Sequence, residues 1–240
     1  SKLCPPQAPR FLMSYTVRHV VNSKLLSIDD DPATQVFDEY GLICQALTVA
    51  AGTDLSYIDN PFANAFPGDH YRLLAGLLTA LRPRSIVDIG THMGTGTRVM
   101  QDYAPKARID TFDLTPWDEF EKTFLTEADF VENGGQVKQH LVDLSDPDEF
   151  VKFSALLQQA DFIMVDACKD GVFEEKFYSL LSTLNMENKT RYMLLDDIRF
   201  TSELLSWRRI ESPKIDLTSF GHFTGTGLVD VSDGFKFLSH

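Results

Sequence analysis

The chain has 240 residues, 43% of them hydrophobic, and a formal net charge of −13. That is room for one sizeable core, and so negative a chain disfavours nucleic acid or an anionic membrane as its main partner, because like charges repel. Three scattered cysteines, Cys4, Cys44 and Cys168, form no CxxC pair, which points to reduced thiols and a cytoplasmic setting, and no apolar run reaches the roughly 18–20 residues that a membrane span needs.

In chain order, residues 35–52 (QVFDEYGLICQALTVAAG) and 70–82 (HYRLLAGLLTALR) carry apolar residues at helical spacing, with a loop rich in Pro, Gly and Asn between them. Residues 1–60 read as a helical extension, either a structural cap or a lid over the core, and residues 61–240 as the main domain. The chain starts at Ser1 rather than Met, which fits a processed product or a domain cut from a larger synthase.

From about Pro83 onward, short apolar runs alternate with amphipathic stretches. SIVDIG (85–90), ARIDTFDL (107–114), QVKQHLVDL (136–144), DFIMVD (161–166) and RYMLLDD (191–197) read as strands. TGTRVMQDYA, WDEFEKTFLTEADF, DPDEFVKFSALLQQ and FEEKFYSLLSTLN read as the helices between them, the third opened by Asp146 and Pro147. SELLSWRRI predicts a short helix, and KIDLTSFG and TGLVDVS predict the last two strands. The alternation predicts an α/β fold: a doubly wound, Rossmann-like, mostly parallel sheet of seven strands with helices on both faces.

Ligands of such sheets bind beyond the carboxyl ends of the strands. The first strand runs into VDIGTHMGTGTR, with Gly90, Gly94 and Gly96 between strand and helix. Glycine there permits positive φ and close approach of a ligand to the backbone, and the helix start offers free N–H groups. A plain tight turn is the alternative. The second strand ends at Asp113 and Leu114, with Asp113 lying 25 residues after Asp88, a distance that suits an acid bonded to a ribose diol. Asp143, ending the third strand, suits an adenine amino group. Asp88 suits a cationic ligand and would repel a pyrophosphate, and no tyrosine has a lysine four residues later, which weakens a nicotinamide oxidoreductase. S-adenosylmethionine, with its ammonium and sulfonium, fits better.

VDIGTHMGTGT resembles motif I of the class I methyltransferases, with a GxxxG spacing similar to that of the metal-dependent catechol and caffeoyl-CoA O-methyltransferases. VDACKD resembles the Asp-x-x-Lys-Asp segment after their fourth strand, and LLDDIRF the metal-binding segment at the end of their fifth. The resemblance spans roughly residues 66–200, while the last forty residues look more like bacterial natural-product methyltransferases. It implies S-adenosylmethionine held by Asp88, Gly90, Thr91, His92, Gly94, Gly96, Asp113, Leu114 and Asp143. It further implies a divalent ion held by Asp166, Asp196 and Asp197, and Lys169 as general base. The residues agree: carboxylates ending adjacent strands converge, neighbouring acids repel unless a cation lies between them, and an all-oxygen set suits Mg²⁺ before Mn²⁺. A lysine beside a cation and partly desolvated has its pKa drawn toward neutrality. Arg199 offers a metal-free way to neutralise the Asp196–Asp197 pair.

Other residues carry weaker expectations. His222, in a late turn, is a candidate substrate contact; Trp117 covers an adenine or is core; Asp69 reads as the cap of the helix that follows it. Chelation favours a small-molecule acceptor with neighbouring oxygens, such as a catechol or vicinal diol. A metal-independent methyltransferase and a non-catalytic S-adenosylmethionine-binding domain remain alternatives. Homodimer formation and membership of a larger synthase are both left open.

Overall fold

Five strand runs buried along almost their whole length can sit only in the middle of a sheet covered on both faces. The computed structural model describes residues 39–186 and 191–238. Its elements are α1 (Tyr40–Gly52), α2 (Tyr71–Leu81), β1 (Ser85–Ile89), α3 (Thr95–Tyr103), β2 (Arg108–Asp113), β3 (Val137–Leu141), α4 (Pro147–Gln159), β4 (Phe162–Val165), α5 (Val172–Leu181), β5 (Tyr192–Asp196), α6 (Leu204–Arg209), β6 (Lys214–Asp216) and β7 (Thr226–Asp230). The strands form one seven-stranded sheet in the order β3-β2-β1-β4-β5-β7-β6. All pairings are parallel except those of β7, which runs antiparallel to both β5 and β6. This is the predicted doubly wound α/β sheet, with its change of winding direction between β1 and β4.

Strand side chains alternate between faces, and the core divides accordingly. Ile86, Ile109, Phe162, Met164, Tyr192 and Leu194 pack on one face with residues of α1, α2 and α3. Val87, Phe112, Ile163, Val165, Met193 and Leu195 pack on the other with residues of α4 and α5. By the same alternation Asp88, Asp166 and Asp196 fall on the α1–α3 side. The helix predicted over 35–52 is described from Tyr40 onward and packs on α2; residues 1–38 of the expected extension lie outside the described residues.

The helix predicted over WDEFEKTFLTEADF does not form. Three short 3₁₀ turns stand there, Trp117–Glu119, Glu127–Asp129 and Val131–Asn133. Thr126 and Asp129 exchange capping hydrogen bonds, so side chains take over backbone groups that a longer helix would use. The Phe124 amide donates to the Met93 carbonyl at 2.9 Å, and Leu125 is buried against Gly94. Tertiary contact with the glycine loop outweighs helical periodicity. The third strand also ends early, at Leu141, so Asp143 lies in the loop leading to α4 rather than at the strand end. Asp146 caps α4 as expected, accepting from the Asp148 amide at 2.8 Å. No helix among the described residues is long and apolar enough to cross a membrane.

Candidate functional site

The carboxyl ends of β1, β2 and β4, with the loop after β3, enclose a cleft of about 720 Å³. Gly90, His92, Asp113, Leu114, Asp143 and Asp166 line it, together with Cys168, Asp170 and Lys176. Four aspartates against one lysine make its wall anionic.

Gly90 has φ +107°, and a Cβ on it would stand 2.8 Å from the Asp166 carbonyl carbon and closer to the oxygen. Only glycine lets the ends of β1 and β4 meet here, where the Asp166 amide donates to the Ile89 carbonyl at 2.8 Å. Gly94 is also left-handed, at φ +80°, with Leu125 where a Cβ would point. Gly96 differs: a Cβ there would meet nothing within 4 Å. Thr91, Gly94 and Gly96 do not line the cleft. Thr91 is buried, its hydroxyl 2.7 Å from that of Thr111.

Asp113 ties two loops together. One carboxylate oxygen accepts from the His92 amide at 2.7 Å, the other from the Leu114 and Thr115 amides at 2.7 and 3.0 Å. Asp143 is exposed and accepts from the Ser145 amide at 2.8 Å. The His92 ring, on a residue with φ +45°, rests edge-on against Phe120.

Asp88 is not where the sequence pattern would have it. It lies outside the cleft, 2% exposed, and one carboxylate oxygen accepts from the Thr97 and Thr111 hydroxyls at 2.6 and 3.0 Å. Strand alternation turns it beneath the loop toward α3 instead of outward. Burial pushes its carboxyl up to about 7, against the pull of the two hydroxyls. Trp117 likewise avoids the cleft and stacks on Phe130.

Asp166, at the cleft edge, joins a second group. Lys169 Nζ lies 2.6 Å from Asp166 Oδ1, 3.0 Å from Asp196 Oδ2 and in contact with Asp197 Oδ2. The three carboxylates converge as expected, but the cation between them is the lysine. Burial alone would lower the lysine's pKa; Asp166 and Asp196 outweigh it and, with no cation beside the lysine, raise it. Burial would likewise raise Asp196, yet His70 and Lys169 hold it below the ordinary carboxylate range. Lys169 and Asp197 both have left-handed backbones, with φ +60° and +58°, a cost of about 1–2 kcal/mol each that their surroundings must offset. Arg199 is not the neutraliser. It pairs with Asp216 at 2.8 Å.

Two histidines complete the group. His70, buried just before α2, has Nδ1 3.2 Å from Asp196 Oδ1 and 3.3 Å from Asp69 Oδ1, and Nε2 3.9 Å from Asp166 Oδ2. Burial would lower its pKa, but Asp196, Asp166 and Asp69 raise it to about 9. Asp69 does not cap α2 with its side chain; it accepts from the His70 amide at 2.6 Å. His222 Nδ1 lies 3.2 Å from Asp197 Oδ1 and 3.7 Å from Asp196 Oδ1, and touches the Thr224 hydroxyl. A parallel bridge between Gly68 and His222 joins the two histidine-bearing segments. His70 has no motif around it in the sequence; the sole hint was an Asp-His pair opening the apolar helix before the first strand.

No protein-family description matches the sequence, and no curated protein matches it. Solved structures with similar backbones include the methyltransferase PaMTH1 of Podospora anserina, which is 12% identical over 99% of both chains with a TM-score of 0.45. The O-methyltransferase TomG of Streptomyces achromogenes, in complex with SAM, is 16% identical over 90% of this chain and 96% of its own, TM-score 0.44. A fibrillarin pre-rRNA processing protein of Methanococcus jannaschii is 13% identical over 64% of this chain and 68% of its own, TM-score 0.42. Likeness this low transfers no function, which has to come from the chain's own residues.

Proposed function

We propose that this protein is an S-adenosylmethionine-dependent, divalent-metal-assisted O-methyltransferase acting on a hydroxyl of a small molecule with neighbouring oxygens, such as a catechol, a vicinal diol or a natural-product intermediate. The observation that carries the reading is that Asp166 belongs to both the anionic cleft and the Lys169 cluster. A cofactor lying in the cleft therefore has its reactive end beside a group of residues able to activate a hydroxyl. The anionic lining favours a ligand carrying an ammonium and a sulfonium over one carrying a pyrophosphate. In this reading Asp113 and Asp143 hold the ribose and adenine through lone pairs left free by their backbone bonds, and Gly90 and His92 form the wall. Asp88 supports the loop from below.

The cluster fits a divalent ion: it brings three carboxylates together, and Asp196 Oδ1 is buried without a hydrogen-bond partner. Asp166, Asp196 and Asp197 would hold the ion. It would offset the negative charge around Lys169 and lower the pKa of an acceptor hydroxyl. With its own proton released under the ion's charge, Lys169 Nζ would take the hydroxyl proton as the oxygen forms a bond to the methyl carbon and the bond from that carbon to sulfur breaks. Alignment of the three atoms supplies the rest of the rate. Phe200, Phe220 and Phe223, all exposed, offer an apolar rim for the body of the acceptor, Phe223 packing on His222.

The test is calorimetry with S-adenosylmethionine and S-adenosylhomocysteine, followed by methyl transfer to catechol with and without a chelator. Micromolar cofactor binding and chelator-sensitive transfer are expected. Absence of any cofactor binding, with or without divalent ion, would sink the reading. Transfer that survives chelation would favour a metal-independent enzyme.

A further inference from the structure

Each of the three carboxylates divides its oxygens between two sides. Asp166 Oδ1, Asp196 Oδ2 and Asp197 Oδ2 face Lys169. Asp166 Oδ2, Asp196 Oδ1 and Asp197 Oδ1 face the histidines. The lysine side is satisfied by three short ion pairs. On the other side Asp197 Oδ1 and His222 Nδ1 meet each other and the Thr224 hydroxyl, while His70 and Asp196 are left unsatisfied. His70 is 3% exposed, and neither ring nitrogen has a hydrogen-bond partner, nor has Asp196 Oδ1. The His70–Asp196 contact has the distance of an ion pair but no hydrogen-bond geometry. Buried imidazole nitrogens and a buried carboxylate oxygen left in this state destabilise the fold unless a ligand meets them. Two sets of ligand atoms, His70–Asp166–Asp196 and Asp196–Asp197–His222, each lie within 4.8 Å of one another and share Asp196. Within each set that spacing suits donors around one ion, and Asp196 is common to both.

We propose that the metal of this site binds on the histidine side of the cluster, with imidazole nitrogen of these two sets as ligand beside Asp196 and its neighbours, and that the site therefore selects a first-row transition ion over Mg²⁺. The inference rests on the reading of the cluster as a metal centre. It changes the all-oxygen ligand set expected from the sequence into a mixed nitrogen–oxygen one. Imidazole is a poor partner for Mg²⁺, which prefers oxygen and water, and a good one for Mn²⁺, Fe²⁺, Co²⁺ or Ni²⁺. The two-sided arrangement also removes a conflict: lysine and metal do not compete for the same oxygens. Lys169 Nζ holds one oxygen of each acid, and on the other side Asp196 Oδ1 is left without a hydrogen bond.

The test uses the whole protein and metal ions alone. Pulsed EPR of the Mn²⁺-loaded protein should show nitrogen modulation from bound imidazole, weakened in His222→Ala. Calorimetry should give Co²⁺ binding that is about tenfold or more weaker in His222→Ala, with Mg²⁺ binding changed by less than about twofold, because only the softer ion gains from nitrogen. His70→Asn should act as His222→Ala does; should that variant not fold, the spectrum of the parent protein still decides. Bound Mn²⁺ without nitrogen modulation overturns the proposal, as does equal loss of Co²⁺ and Mg²⁺ affinity in His222→Ala. So does the absence of Mn²⁺ and Co²⁺ binding. Oxygen-only ligation in a protein that still transfers methyl groups would refute the histidine ligands and leave the methyltransferase reading standing. Nitrogen ligation in a protein that binds no S-adenosylmethionine would do the reverse.

Discussion

Gly90 and Gly96 lie in the same motif, and alanine should have opposite effects at the two. At Gly90 the backbone is at φ +107° and the added methyl would meet the Asp166 carbonyl, 2.8 Å from its carbon. Strain at such a φ costs of the order of 1–3 kcal/mol for a side chain, and the clash is with backbone, which cannot rotate away. A total loss of about 3 kcal/mol is expected, or roughly 6–12 °C in Tm for a chain of this size. The displaced Asp166 should also weaken cofactor binding by about tenfold or more. Gly96 sits in the first turn of α3 with open space around it, so Gly96→Ala removes chain entropy from the unfolded state and should raise Tm by about 1–4 °C. Thermal melts and S-adenosylhomocysteine titration of both variants decide the matter. Equal damage at the two positions, or a Gly90→Ala protein with unchanged Tm and affinity, would refute the close approach of the β1 and β4 ends.

Asp88→Asn should keep its hydroxyl bonds through the amide oxygen. The folded carboxyl holds its proton to about pH 7 and the unfolded one releases it near 3.8, so the parent's stability falls as pH rises across that window. The variant's Tm should therefore gain on the parent's between pH 4 and 7; a gap independent of pH would contradict the buried carboxyl. Glu203, buried with Glu174, titrates near 7 because of burial and then that neighbour, so Glu203→Gln should stabilise the protein more at pH 8 than at pH 5, measured in the same melts. Lys169→Ala leaves the three acids without their cation, and its Tm should drop by several degrees in EDTA and by much less in Mn²⁺. Asp113→Ala strips partners from three backbone amides and should weaken cofactor affinity by about a hundredfold; calorimetry showing unchanged affinity would remove Asp113 from the site.

Much of this architecture follows from local rules visible in the chain. The apolar runs and their spacing determine the strands, because period and length leave little choice, and the acids that end them determine where charge gathers. Asp166 and Asp196 meet because strands β4 and β5 are adjacent and alternate in the same phase, and the left-handed backbone of Asp197 turns it in beside them. Local pattern failed where packing from afar decides. WDEFEKTFLTEADF has helical spacing, yet it bends to cover the glycine loop because Leu125 and Phe124 are held by Gly94 and Met93. Asp88 looked like a ligand and is a buried support, since only its neighbours Thr97 and Thr111 reveal which way it turns. His70 and His222 stand 152 residues apart, and no periodicity relates them. Their meeting over Asp196 required strand order, the bridge from Gly68, and the docking of α2, all set by which surfaces exclude water together rather than by any short stretch of sequence.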